Sequence, residues 1–191
     1  MIELTLPAES KQSPAQSQAI ILEAMKSQKM VRLDLDPRIG FEQLDCYVLG
    51  LGEEYLAVEV IEEWHCDGVR IFHPGAIKNV EIDGRASKLD TILKWRGLSP
   101  TDAYQWLDLD NLSVLFESIK SRNLALTIEE EESIDIGRII AVDEKSIVMK
   151  LFDAEGTWLA DDFTFSFEEI FAIRLGNEYA VTLREFADAH C

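Results

Sequence analysis

Two stretches, Ala19–Gln28 (AIILEAMKSQ) and Ser113–Arg122 (SVLFESIKSR), decide how this chain is read. Glu23, Lys26 and Ser27 match Glu117, Lys120 and Ser121. Ile20, Ile21, Leu22 and Met25 fall opposite Val114, Leu115, Phe116 and Ile119. Apolar residues at this spacing mark one face of a helix. Ser13 followed by Pro14 supplies an N-cap and a proline at the first helical position. Asp110 is placed to cap the second helix through its side-chain oxygen.

Downstream the pattern continues in the same order in both places. Val31, Leu33 and Leu35 alternate with Arg32, Asp34 and Asp36, and Leu124, Leu126 and Ile128 alternate with Ala125, Thr127 and Glu129. Alternation with period two is the mark of a half-buried strand. Tyr47–Leu51 then corresponds to Arg138–Val142, and Leu56, Val58 and Val60 to Ile147, Met149 and Leu151. Short strands ending at Phe72 and Phe165 follow. The closing pieces, His73–Ile82 and Ser166–Leu175, both space their apolar residues (Ile77, Val80, Ile82; Ile170, Ile173, Leu175) as a single helical turn before a last strand would. The copies lie about 91 to 94 residues apart, with the shifts at turns, where insertions are tolerated.

The expected fold is therefore α+β and mainly β: two tandem units, each an N-terminal helix followed by a five-stranded, strongly bent antiparallel small barrel. Residues 1–86 form the first unit, 87–109 a helical connector and 110–191 the second unit. In the connector, Leu89, Ile92, Leu93 and Trp95 suggest one helix, and Ser99-Pro100 with Asp102 the start of another. Trp95 and Trp106 are expected to seal the two units together, related by a pseudo-two-fold axis. Val181–His190 reads as a short closing helix.

A helix with five bent strands in this order resembles the Sm-like small barrel and, more broadly, the SH3-like barrels. The resemblance covers most of both copies and concerns strand order and turn spacing. The RNA-binding signature of the Sm family has no counterpart in Gly52-Glu53-Glu54 or Asp143-Glu144-Lys145, nor in the turns after Phe72 and Phe165. The resemblance therefore implies a fold and no RNA-binding function.

Charge points the same way. The chain carries 36 acidic and 18 basic residues, a net charge of −18. Such a surface repels phosphate backbones and anionic membranes and favours basic partners. Residues 96–191 hold 20 of the acids and only 8 of the bases, so the second half is the better place for a basic partner. Its candidate contact residues are Glu129, Glu130, Glu131, Glu132, Asp161 and Asp162. The cysteine count of three, with no basic, apolar leader at the N-terminus, suggests a reducing, cytoplasmic setting.

Chemistry-bearing residues are sparse. His65, Cys66 and His73 are metal-ligand types, but their spacing fits no zinc pattern. His65 and Cys66 are neighbours in a strand and so point to opposite faces, which argues against a Cys/His nucleophile pair. No cofactor motif is present: Gly50-x-Gly52 precedes no helix. The reading favoured here is a non-enzymatic protein-interaction module, immunity- or inhibitor-like, that masks a basic protein, with homo-oligomerisation left open. The alternatives are an enzyme or metal-binding protein with its site between the copies, and an Sm-like RNA binder, which the charge disfavours.

Overall fold

The structure, a computed structural model, describes residues 12–37, 43–82 and 84–190. Its order is helix α1 (Pro14–Ser27), strands β1 (Met30–Leu35), β2 (Gln43–Leu51), β3 (Leu56–Glu62), β4 (His65–Phe72) and β5 (Ile77–Glu81), then helices α2 (Arg85–Trp95) and α3 (Leu112–Ser121). Strands β6 (Ala125–Glu129), β7 (Ile134–Val142), β8 (Ser146–Phe152), β9 (Trp158–Ser166) and β10 (Ala172–Leu175) follow, closed by helix α4 (Glu178–His190). A 3-10 turn, Pro74–Ala76, leads directly into β5.

Local chemistry explains the helix starts. Ser13 caps α1 by accepting from the Gln16 N–H, and the Gln16 side chain reaches back to the Ser13 backbone, so two otherwise orphaned donors are satisfied. The second helix corrects the expected cap. Asn111, not Asp110, occupies that position, its Oδ1 accepting from the Val114 N–H at 3.2 Å. Asp110 is drawn away to the Glu53 N–H in the β2–β3 turn.

All ten strands join one antiparallel sheet in the order β5-β1-β2-β3-β4-β10-β6-β7-β8-β9. The pairings thus describe one open, mainly β sheet. Joining β4 to β10 removes two strand edges that would otherwise stand unpaired. Within each half the strands keep the same order, fifth-first-second-third-fourth. The register slips at Leu49 in the β2–β3 pair and at Ile140 in the β7–β8 pair. It slips again at Val60 in β3–β4 and at Leu151 in β8–β9, the same sequence distance apart. A two-fold relation would bring like strands together at the joint. Here the fourth strand of one half meets the fifth of the other, a head-to-tail arrangement, so the expected pseudo-two-fold is not found.

The cores are interleaved. α1 places Ile21 and Ala24 on a cluster with Val31, Leu33, Cys46, Val58 and Phe72, which also takes Ala172 from the second half. α3 places Leu115, Phe116 and Ile119 on a second cluster, which also takes Ala57, Val69 and Ile71 from the first half. Successive residues of a strand face opposite sides. Ile71 and Phe72 therefore feed different cores, and the central strands are buried on both faces. α2 covers a third, smaller group with Met30, Tyr47 and Ile61.

The connector departs from expectation after α2. Residues 102–109 are turns, not helix. Within them the Leu107 N–H donates to the Tyr104 carbonyl and the Ala103 N–H to Thr101 Oγ1, both at 3.1 Å, and the Asp108 carboxylate accepts from the Asp110 and Asn111 N–H groups at 3.0 and 2.9 Å just before α3. Trp95 seals nothing, being 84% exposed. Trp106 packs against the α3 core, with the Arg122 guanidinium 4.0 Å above its ring.

Candidate functional site

β9 ends the sheet on one side, and β5 ends it on the other. The two edges are built differently. At β5, the Gln12 side-chain amide imitates a neighbouring strand. Its Nε2 donates to the Val80 carbonyl at 2.9 Å, and its Oε1 accepts from the Val80 N–H at 3.0 Å. That edge is covered at its centre by a side chain.

β9 has no such cover among the described residues. Its two ends are fixed. Asp153 accepts from the Glu155 and Thr157 N–H groups and sets the β8–β9 turn. Trp158 then packs edge-on against Phe152 at 5.1 Å, with Arg138 4.9 Å over its ring. At the far end Phe165 is buried against the core. Between them Ala160, Asp161, Asp162, Phe163 and Thr164 are all exposed. Because alternate residues face opposite sides, five exposed residues in succession leave both faces of the strand, as well as its edge, open to solvent. Asp162 lies 3.4 Å from Lys150 of β8, which also donates to the Ala160 carbonyl at 2.7 Å. Asp161 shares its face with Phe163, which is 39% exposed.

The acidic run from Glu129 to Glu132 divides. Glu129 is buried at the end of β6 and accepts from Arg70 Nη2 and Arg174 Nε. Glu130 is half-buried in the β6–β7 turn. Burial raises its pKa above the ordinary carboxylate range, with Glu169 and Asp135 adding to the rise and Ser133 opposing it. Glu131 and Glu132 are exposed. Asp161, Asp162, Glu131 and Glu132 are therefore the candidate contact residues that reach solvent, and Glu129 is a structural ion-pair partner.

His65, Cys66 and His73 do not converge. His65 is exposed at the start of β4. Cys66 lies beside Glu59, and burial first, then Glu59, pushes its thiol up to about 11, which leaves little thiolate at neutral pH. His73 caps the 3-10 turn, its Nδ1 accepting from the Gly75 N–H at 2.9 Å. Among the described residues no group of three or more His, Cys, Asp or Glu side chains is arranged to hold a metal ion. No helix among them is long and apolar enough to cross a membrane.

One grouping escaped the sequence reading. A cavity of about 300 Å³ on the first half's side of the joint is lined by Arg32, Arg70, Arg85 and Arg174. These arginines come from β1, β4, α2 and β10, so no local spacing announces them.

Comparison of the chain with protein-family models, with curated proteins and with solved structures finds no match.

Proposed function

We propose that the chain is a non-enzymatic protein-interaction module, made of two copies of a helix-plus-small-barrel unit fused head to tail, that binds a basic protein along the open β9 edge. The repeated strand order and the register slips at corresponding positions of the two halves support the duplication. The observation that carries the interaction reading is the five-residue exposed run of β9, uncovered among the described residues while the opposite edge is capped by Gln12. Exposed edges invite pairing with another chain, and proteins normally blunt them. Here the residues that blunt it are acidic. They discourage a second acidic copy and attract an extended basic segment.

The partner's strand would gain main-chain hydrogen bonds from β9, while Asp161 and Asp162 would select lysine or arginine and Phe163 an apolar neighbour. The −18 net charge would speed the encounter. An inhibitory or immunity role, masking the basic surface of a target, is the biological form this reading takes. The test is calorimetric titration with an extended lysine-rich peptide. Binding should weaken about tenfold or more between low and physiological-to-high salt, as exposed charges are screened. The Asp161→Asn/Asp162→Asn double variant should lose most of it. Absence of binding, or binding indifferent to both salt and the double variant, contradicts the proposal.

A further inference from the structure

We propose that the groove between α1, the β2–β3 turn and the 3-10 turn binds a small molecule that carries an aromatic ring and a protonated amine. It is a site apart from the β9 edge. Its volume is about 590 Å³, within the range of ligand pockets. Ile21, Leu22, Leu51 and Ile77 give it apolar wall.

The second half shows what the corresponding place holds. Three pairs of backbone bonds set the correspondence. α1 ends with the Lys29 N–H on the Ala24 carbonyl, and α3 with the Leu124 N–H on the Ile119 carbonyl. The β2–β3 turn closes with the Gly52 N–H on the Tyr55 carbonyl, and the β7–β8 turn with the Asp143 N–H on the Ser146 carbonyl. In the 3-10 turn the Ala76 N–H bonds the His73 carbonyl, and in its counterpart the Glu169 N–H bonds the Ser166 carbonyl. Counted from these bonds, Gln18 corresponds to Ser113, Ile21 to Phe116 and Pro74 to Phe167. The helix pairs lie one residue along from the match read in the sequence.

In the second half the Phe167 ring lies on Phe116, with centroids 5.3 Å apart. The Phe167 N–H bonds the Lys145 carbonyl, and Ser113 Oγ donates to the Asp143 carbonyl at 3.2 Å. Helix, turn and loop are thus drawn together around an aromatic pair. In the first half Ile21 and Pro74 stand where the two rings would be, and both line the groove. The first half therefore lacks the ring that fills the second, and apolar space of this kind receives a ring from a ligand.

Charge sets the other end of the ligand. Glu53 and Asp110 also line the groove, and both are exposed. Asp110 Oδ1 accepts from the Glu53 N–H, which keeps the two residues together. No Lys, Arg or His stands among the described lining residues. An ammonium group gains from the two carboxylates, and a carboxylate ligand is repelled.

The test is calorimetric titration of the full chain with 2-phenylethylamine, 2-phenylethanol and 3-phenylpropionate at one ionic strength. The amine should bind saturably, the alcohol at least about threefold more weakly, and the carboxylate weakest of all. Glu53→Gln/Asp110→Asn, which keeps an acceptor for the Glu53 N–H, should bring the amine down to the level of the alcohol. Glu185→Gln, which removes a charge from α4, should leave the amine's affinity unchanged. Pro74→Phe supplies from the chain the ring found in the second half, so it should raise Tm and abolish binding of the amine. No saturable binding of the amine overturns the proposal, as do equal affinities for the three probes, an undiminished affinity in the double variant or in Pro74→Phe, or an equal loss in Glu185→Gln.

Discussion

Arg70 and Arg174 stand directly opposite one another in the β4–β10 pair, an arrangement that repels unless something lies between them. Glu129, diagonal to Arg174 on the neighbouring strand, bonds both. Burial works against the charge on Arg70 and lowers its pKa, and Glu129 opposes that effect. Neutralising one member of a buried ion pair removes the charge that compensates the other, so Glu129→Gln should destabilise the chain by about 3–5 kcal/mol in urea unfolding. A loss below about 1 kcal/mol would mean that the joint does not depend on this carboxylate. Glu59 offers a titration. It is buried, accepts from the Thr101 N–H at 3.0 Å, and burial raises its pKa. A carboxyl raised in the folded state contributes stability below its unfolded pKa and loses it as pH rises through the folded one. Glu59→Gln should therefore gain on the wild type as pH rises from about 4 towards neutrality, measured by urea unfolding across that range. A constant difference between the two would refute the assignment. Neither role was legible in the sequence. Glu129 opens a run of four acids that reads as a solvated face, and only the burial of β6 on both sides turns it inward.

The elements carry the contrast between the two sheet edges. Gln12 gives β5 two hydrogen bonds from outside the sheet. Gln12→Ala should lower stability by about 1–2 kcal/mol and speed amide exchange at Val80; unchanged exchange there would show that the edge is not capped in this way. Much at this scale could be read from residue order. The Ser13-Pro14 start of α1 and the alternation in β1, β3 and β8 are local signals, and local chemistry realises them. What failed were places where a distant group wins. Asp110 reads as a helix cap but serves the β2–β3 turn across the joint, so Asn111 takes over. The segment around Tyr104 and Trp106 has helical spacing but forms a turn, closed by the Leu107 N–H on the Tyr104 carbonyl, and is packed on the second core. Five exposed residues in β9 could not be foreseen either. Leu159, Phe163 and Phe165 alternate as a half-buried strand does, yet the core takes Leu159 in part and buries Phe165 while leaving the stretch between them exposed.

In the whole molecule the two halves repeat an order of strands, yet they do not keep separate interiors. Ala57, Val69 and Ile71 belong to the α3 core, and Ala172 to the α1 core. Unfolding one half exposes apolar surface of the other, so urea unfolding should be a single transition with coincident tryptophan-fluorescence and circular-dichroism curves. Two separated transitions would mean that the halves are independent. The recurring hydrophobic rhythm made the two sets of five strands visible in the sequence. It did not show that β4 and β10 join them into one sheet, because strand pairing across such a distance leaves no local signature. The same sheet that closes at its centre stays open at β9, and the chain's acidity is heaviest in that half. The most direct measurement is hydrogen–deuterium exchange of the chain with and without an extended lysine-rich peptide. Slowed exchange of β9 amides within Ala160–Thr164, reversed by high salt, is the expected result. Peptide-bound chain whose protection lies elsewhere, or β9 amides that exchange unchanged at saturating peptide, would contradict it.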